Sequence, residues 1–122
     1  MKIICVDDHP IILQGLENSV RKLSPEADIH AFQNADKALD FVKKNGCDVL
    51  ICEIELGDDS GLTLAQKIKS FNPKVNIIFH TVCDEKEHAR EVLMIKPSGY
   101  LLKPAKIEQI KAELKNLRYC VS

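Results

Sequence analysis

Five apolar runs of strand length alternate along this chain with segments whose apolar residues recur at steps of three and four. That alternation constrains the fold more than any single motif does. Lys2–Asp7, Ile29–Phe32, Asp48–Ile54, Val75–Thr81 and Gly99–Leu102 read as strands. The first helix has Pro10 near its first turn and Ile12, Leu13, Leu16, Val20 and Leu23 along one side, until Ser24-Pro25 ends it. Asn34 caps a second helix carrying Ala38, Leu39, Phe41 and Val42, which Asn45-Gly46 closes. Gly57 to Gly61 reads as a loop, followed by a helix that turns Leu62, Leu64, Ala65, Ile68 and Phe71 inward and breaks at Asn72-Pro73. Asp84, with Glu87 three residues on, opens a fourth helix to about Ile95 in the pattern of a capping box. The last helix carries the stripe Ile107, Ile110, Leu114 and Leu117, whose spacing marks a face packed on the core.

Strands alternating with helices imply an α/β architecture: a five-stranded parallel sheet covered on both faces, in a single doubly wound (βα)5 domain. With 122 residues the chain supports one domain, which buries roughly two-thirds of its unfolded surface and needs no disulfide or metal staple. A net charge of −1, with both signs interspersed, gives no electrostatic reason to bind nucleic acid. The apolar runs fall far short of the roughly 20 residues a membrane helix needs. Met1-Lys2 leads straight into a strand, without room for a signal peptide, so a cytoplasmic protein is expected. The five cysteines, Cys5, Cys47, Cys52, Cys83 and Cys120, are odd in number and contain no C-x-x-C pair, as expected of free structural thiols. Cys83 follows Thr81 in what should be a site-facing loop.

In sheets of this kind ligands bind outside the carboxyl ends of the strands. Those ends here carry Asp7-Asp8, Glu53, Thr81 and Lys103. Each alone has a plain structural explanation: acids beside a helix N-terminus, for example, are favourable by about 0.3–1 kcal/mol. Glu53 is harder to dismiss, because a carboxylate at the end of a buried strand needs a partner. Together, the set suits a divalent cation with oxygen ligands and a phosphoryl group.

The strings Ile4-Cys5-Val6-Asp7-Asp8-His9-Pro10 and Gly99-Tyr100-Leu101-Leu102-Lys103-Pro104 resemble the receiver domain of two-component response regulators, and the resemblance runs through essentially the whole chain, 1–122. It implies the flavodoxin-like strand order 2-1-3-4-5. It implies magnesium held by the acidic pair Asp7 and Asp8, by Glu53 and by the backbone carbonyl of Glu55. Thr81 becomes the switch hydroxyl, Tyr100 the switch aromatic and Lys103 the phosphate-contacting lysine, with a cis bond between Lys103 and Pro104. The implied partners are a sensor histidine kinase or other signalling protein, and a second copy through the face made by the fourth helix, fifth strand and fifth helix. A transcription-controlling effector domain would begin near Lys115 to Tyr119 and lie beyond residue 122, while this domain itself would contact neither nucleic acid nor membrane.

Glu53 departs from the family pattern, standing where receivers carry the phosphate-accepting aspartate. The extra methylene moves the carboxylate by up to about 1.5 Å, against a tolerance of about 0.5 Å in productive sites. Magnesium should therefore bind weakly or not at all without a phosphoryl group. Three outcomes are open: an inert pseudo-receiver, one held partly active because the longer carboxylate reaches Thr81 and Lys103, and one still switched by phosphorylation. Two rivals are weaker. A metal-dependent phosphohydrolase could use Glu53 and Glu55 but lacks an aspartate nucleophile and an evident general acid. A flavodoxin-like electron carrier would have its flavin phosphate repelled by Asp7-Asp8.

Overall fold

Alternate residues of the central strand segments point to opposite faces, and each face has its own core. Ile4, Val6, Leu50, Cys52, Ile77 and Phe79 fill one side; Ile3, Cys5, Val49, Ile51 and Ile78 fill the other. Fully burying each of the larger side chains contributes about 1.5–3 kcal/mol. The computed structural model describes residues 1–121, the side chain of Glu85 excepted. Its strands are β1 (Lys2–Val6), β2 (Asp28–Phe32), β3 (Val49–Cys52), β4 (Asn76–Thr81) and β5 (Gly99–Leu102). They form one parallel sheet in the order β2-β1-β3-β4-β5, as the resemblance implies. The helices are α1 (Pro10–Leu23), α2 (Ala35–Asn45), α3 (Gly61–Phe71), α4 (Ala89–Ile95) and α5 (Ile107–Lys115). α2, α3 and α4 cover the first face, while α1 and α5 cover the second. None of the described helices is long and apolar enough to cross a membrane.

Local chemistry places the boundaries. Asn34 Oδ1 accepts from the Lys37 N–H at 2.9 Å, and Gly46 takes a φ of 82° where α2 ends. Ser60 Oγ accepts from the Leu62 N–H at 3.2 Å and caps α3. Buried Asn76 is fully used: Oδ1 accepts from Ser98 Oγ and the Tyr119 N–H, and Nδ2 donates to the carbonyls of Asp48 and Tyr119. It thereby anchors the segment after α5 to the start of β4.

Several expectations are corrected. The third strand leaves the sheet at Cys52 instead of Ile54. The expected loop is a small antiparallel hairpin, Glu55–Leu56 against Asp59–Ser60, turning at Gly57 with a φ of 61°. The fourth helix is divided. Asp84 heads a 3-10 turn, Glu85–His88, by accepting from the Lys86 N–H at 2.9 Å, and His88 then leaves helical dihedrals before α4 begins. Phe71 (45% exposed), Ile12 (39%) and Ile107 (37%) are not inward; they lie in the terminal turns of their helices, away from the core. Of the α5 stripe, Ile110 is buried, and Leu114 and Leu117 pack partly against the core.

Gly61 fixes how closely α3 approaches the sheet. A Cβ there would lie 1.9 Å from the Glu53 carbonyl oxygen and 2.9 Å from Cys52 Sγ. Gly61→Ala should therefore destabilise the domain by about 1–3 kcal/mol, as overpacking does. Gly15→Ala, in α1 with open space around the new methyl, should stabilise it by about 0.5–1 kcal/mol. Chemical denaturation of the two variants checks both signs.

Candidate functional site at the carboxyl edge of the sheet

Register decides which side chains meet. Val6 lies opposite Cys52, Cys52 opposite Phe79, and Thr81 opposite Leu102. Asp7, Glu53 and Lys103 each follow a strand directly, so they emerge with Thr81 along one edge. Their backbones are still pinned by a last rung: Asp7 N–H to Phe32 O at 3.1 Å, Glu53 N–H to Val6 O at 3.0 Å, and Lys103 N–H to Thr81 O at 2.8 Å. The Lys103–Pro104 bond is cis.

The Lys103 ammonium lies between two buried carboxylates. It donates to Asp7 Oδ2 at 2.7 Å and is paired with Glu53 Oε2. Asp7 is 0% exposed and Glu53 2%. Glu53 Oε1 accepts from the Thr81 hydroxyl and from the backbone N–H groups of Ile54 at 3.0 Å and Glu55 at 3.2 Å. Both oxygens of the Glu53 carboxylate are thus engaged. Burial pushes the Asp7 carboxyl up, but Lys103 and His9 outweigh it and hold the group below the usual carboxylate value. Burial likewise works against the Lys103 charge, and Asp7 and Glu53 more than restore it.

The adjoining acidic corner has a third member. His9 donates its backbone N–H to Asp7 Oδ1 at 2.9 Å, and its Nδ1 lies 2.9 Å from Asp7 Oδ1 and 3.2 Å from Asp8 Oδ1. The hydrogen bond to Asp7, with the charge of Asp8, raises the His9 pKa. Asp7, Asp8 and His9 each offer one ligand atom, all within 4.8 Å of one another. The set of Asp7, Asp8 and Glu53 does not suit magnesium in this arrangement. Glu53 Oε1 and Asp7 Oδ2 already accept from protein donors, Glu53 Oε2 is paired with the Lys103 ammonium, and Asp8 Oδ1 faces His9 Nδ1. Magnesium would have to displace Lys103 from Glu53 Oε2 and Asp7 Oδ2.

The neighbouring loop is tied to the same edge. The Cys83 N–H donates to Thr81 Oγ1 at 3.1 Å, and the Tyr100 hydroxyl donates to Cys83 O at 2.6 Å. Tyr100 is half-buried, its ring tilted against Phe79 with centroids 6.1 Å apart. Glu55 heads the hairpin, exposed, and its Oε1 accepts from the Cys83 thiol at 3.3 Å. Buried Cys5 and Cys47 have thiols pushed up to about 12 by desolvation, so they are packing groups and not nucleophiles.

Sequence reasoning assembled the carboxylates, Thr81, Tyr100 and Lys103 but passed over His9 and the amides of Ile54 and Glu55. An acid two residues before a histidine, at a strand-to-helix junction, was a usable signal for His9. The amides carry none, since every residue has one.

Known proteins share this fold. Residues 3–115 match the family model described as the response regulator receiver domain. The sensory transduction protein LytR of Staphylococcus haemolyticus is 30% identical over 122 residues, which are 100% of this chain and 47% of that protein. The transcriptional regulatory protein YpdB of Escherichia coli strain K12 is 31% identical over 117 residues, 96% of this chain and 47% of that protein. The chain thus spans about half the length of the curated relatives it matches. Among solved structures, the response regulatory domain of mrkE from Klebsiella pneumoniae superposes with a TM-score of 0.84 at 31% identity, covering 96% of this chain and 94% of that one. The CheY-like receiver domain protein of Methanospirillum hungatei JF-1 has the same fold, with a TM-score of 0.85 at 20% identity over 93% of this chain and 90% of that one. The chain belongs to the response regulator receiver domain family.

Proposed function

We propose that this receiver acts as a phosphate-independent regulatory and interaction module, because Glu53 at the phosphoacceptor position closes the site on itself. The observation that carries this reading is the bridging of Thr81 and Lys103 by the two oxygens of one buried carboxylate. A phosphoryl group on an aspartate would present its oxygens to the same two partners, the switch hydroxyl and the phosphate-contacting lysine. The inward Tyr100 ring, bonded to Cys83 O, fits a switch held in its engaged position. Asp7, Asp8 and the Glu55 carbonyl remain as the family's metal ligands. With Lys103 occupying Asp7 and Glu53, magnesium binding is weak and the domain does not depend on it. As in the family, the domain works in two-component signalling. The kinase or other signalling protein it meets, and an effector controlling transcription in the remainder of a longer protein, complete the proposal. The shared length with LytR and YpdB supports the last point.

The partner surface is the face of α4, β5 and α5. β5 is an edge strand of the sheet, and Leu93 and Leu102 are exposed there at 74% and 53%. Self-association by sedimentation should weaken on reversing the charges of exposed Arg90 and Lys111, without loss of folding. Undiminished association in the double variant rules this face out.

Two further outcomes follow from the closed site. Lys103→Met leaves two carboxylates buried without their cation and should cost about 3–5 kcal/mol at neutral pH. Asp7 has a depressed pKa, so its contribution is present above the unfolded value of 3.8 and is lost as pH falls through the folded one. The deficit in Lys103→Met should accordingly narrow in acid, and urea denaturation at several pH values measures it. Glu53→Asp should free the space of one methylene and accept a phosphoryl group from acetyl phosphate in the presence of magnesium. Intact-mass spectrometry should show one added phosphate on the variant and none on the natural protein. Equal modification of both would contradict the geometric argument; modification of neither would mean a further change disables the pocket.

A further inference from the structure

Beside the carboxylate site, three side chains of different chemistry converge from three segments. Glu55 comes from the hairpin after β3, Cys83 from the loop after β4, and His88 from the end of the 3-10 turn. One carboxylate oxygen, the Cys83 sulfur and one imidazole nitrogen all lie within 4.8 Å of one another. Cys83 is 3% exposed, yet its thiol is directed at a carboxylate, to which it donates at 3.3 Å. We propose that Glu55, Cys83 and His88 form a three-ligand site for a transition-metal dication of the zinc class.

The donor set selects the ion. Magnesium and calcium take oxygen ligands, whereas thiolate with imidazole and one carboxylate suits zinc or cobalt(II) in tetrahedral geometry. Three protein ligands leave a fourth position for water or a partner's side chain. Closing the ligands to bonding distance of a common ion needs only a small inward movement of exposed Glu55 and of His88. The Cys83 thiol is pushed up by burial and by Glu55, so it carries its proton in the free protein. The metal replaces that proton: a metal–sulfur bond forms, the S–H bond breaks, and one proton leaves to solvent.

The site bears directly on the switch. The Cys83 N–H holds Thr81 Oγ1, and the Cys83 carbonyl holds the Tyr100 hydroxyl. A metal bound to Cys83 Sγ would pin that residue to the hairpin and fix both neighbours. The class of signal implied is a change in available zinc-like metal, acting on a receiver whose phosphoryl input is closed.

The test uses the whole chain with Cys120→Ser, which removes the exposed thiol, under reducing conditions. Titration with cobalt(II) should give a thiolate-to-cobalt charge-transfer band that saturates at one ion per chain. Zinc should bleach it, and excess magnesium should not. Cys83→Ser should abolish the band, while His88→Ala and Glu55→Gln should each weaken cobalt binding by at least about tenfold. Asp7, Asp8 and His9 offer no sulfur, so a metal held there gives no such band. The proposal is overturned if no band forms, if the band survives Cys83→Ser, or if His88→Ala and Glu55→Gln leave it unchanged, which would mean a lone thiol. Thermal unfolding of each variant without metal confirms that loss of the band is not loss of fold.

Discussion

One ammonium group between two buried carboxylates organises the functional edge of this domain. Lys103 pairs with both Asp7 and Glu53 where the two carboxylates are almost fully buried, so it supplies a countercharge that solvent does not. The three residues come from the ends of β5, β1 and β3, so their pairing also links the centre of the sheet to its edge. Thr81 and the amides of Ile54 and Glu55 supply the remaining donors, leaving no idle oxygen on Glu53. A carboxylate so surrounded is a structural member as much as a chemical group.

The length of the Glu53 side chain makes this closure feasible. Its backbone N–H is still bonded to Val6 on the sheet, while its carboxylate turns back over its own following amides. In the reading proposed above, an aspartate at this position would stop short of Thr81 and Lys103 and leave room for a phosphoryl group. On the same reading, the added methylene exchanges that room for the bridge between Thr81 and Lys103. In that reading nothing else at the edge departs from the family pattern, since Asp7, Asp8, Thr81, Tyr100 and Lys103 stand at the positions the resemblance implies. On the proposed reading the change is narrow, one carbon at one strand end.

Much of this was legible in the chain itself. The alternating runs give the parallel sheet because strand-length apolar segments joined by helical stripes have few other ways to bury both faces. The strand ends give the site because parallel strands emerge along one edge. What escaped was set by local backbone chemistry and by the limits of packing. The hairpin at Glu55–Ser60 depends on a two-residue turn at Gly57 and pairs only two residues a side, too few for a periodic signal. Phe71 and Ile107 continue the step pattern of their helices but sit at helix ends, where an apolar residue extends the pattern without extending the interface. His9 was hidden by its acidic neighbours, although its backbone and ring both hold Asp7.

The central claim is that Glu53 already occupies the place of a phosphoryl group. Beryllofluoride with magnesium mimics that group on an aspartate, and amide NMR spectra report whether the edge responds. For the natural protein, the resonances of Thr81, Cys83 and Lys103 should stay where they are when both are added. A saturable shift of those three resonances would show that the site is open to a phosphoryl group and would contradict the account.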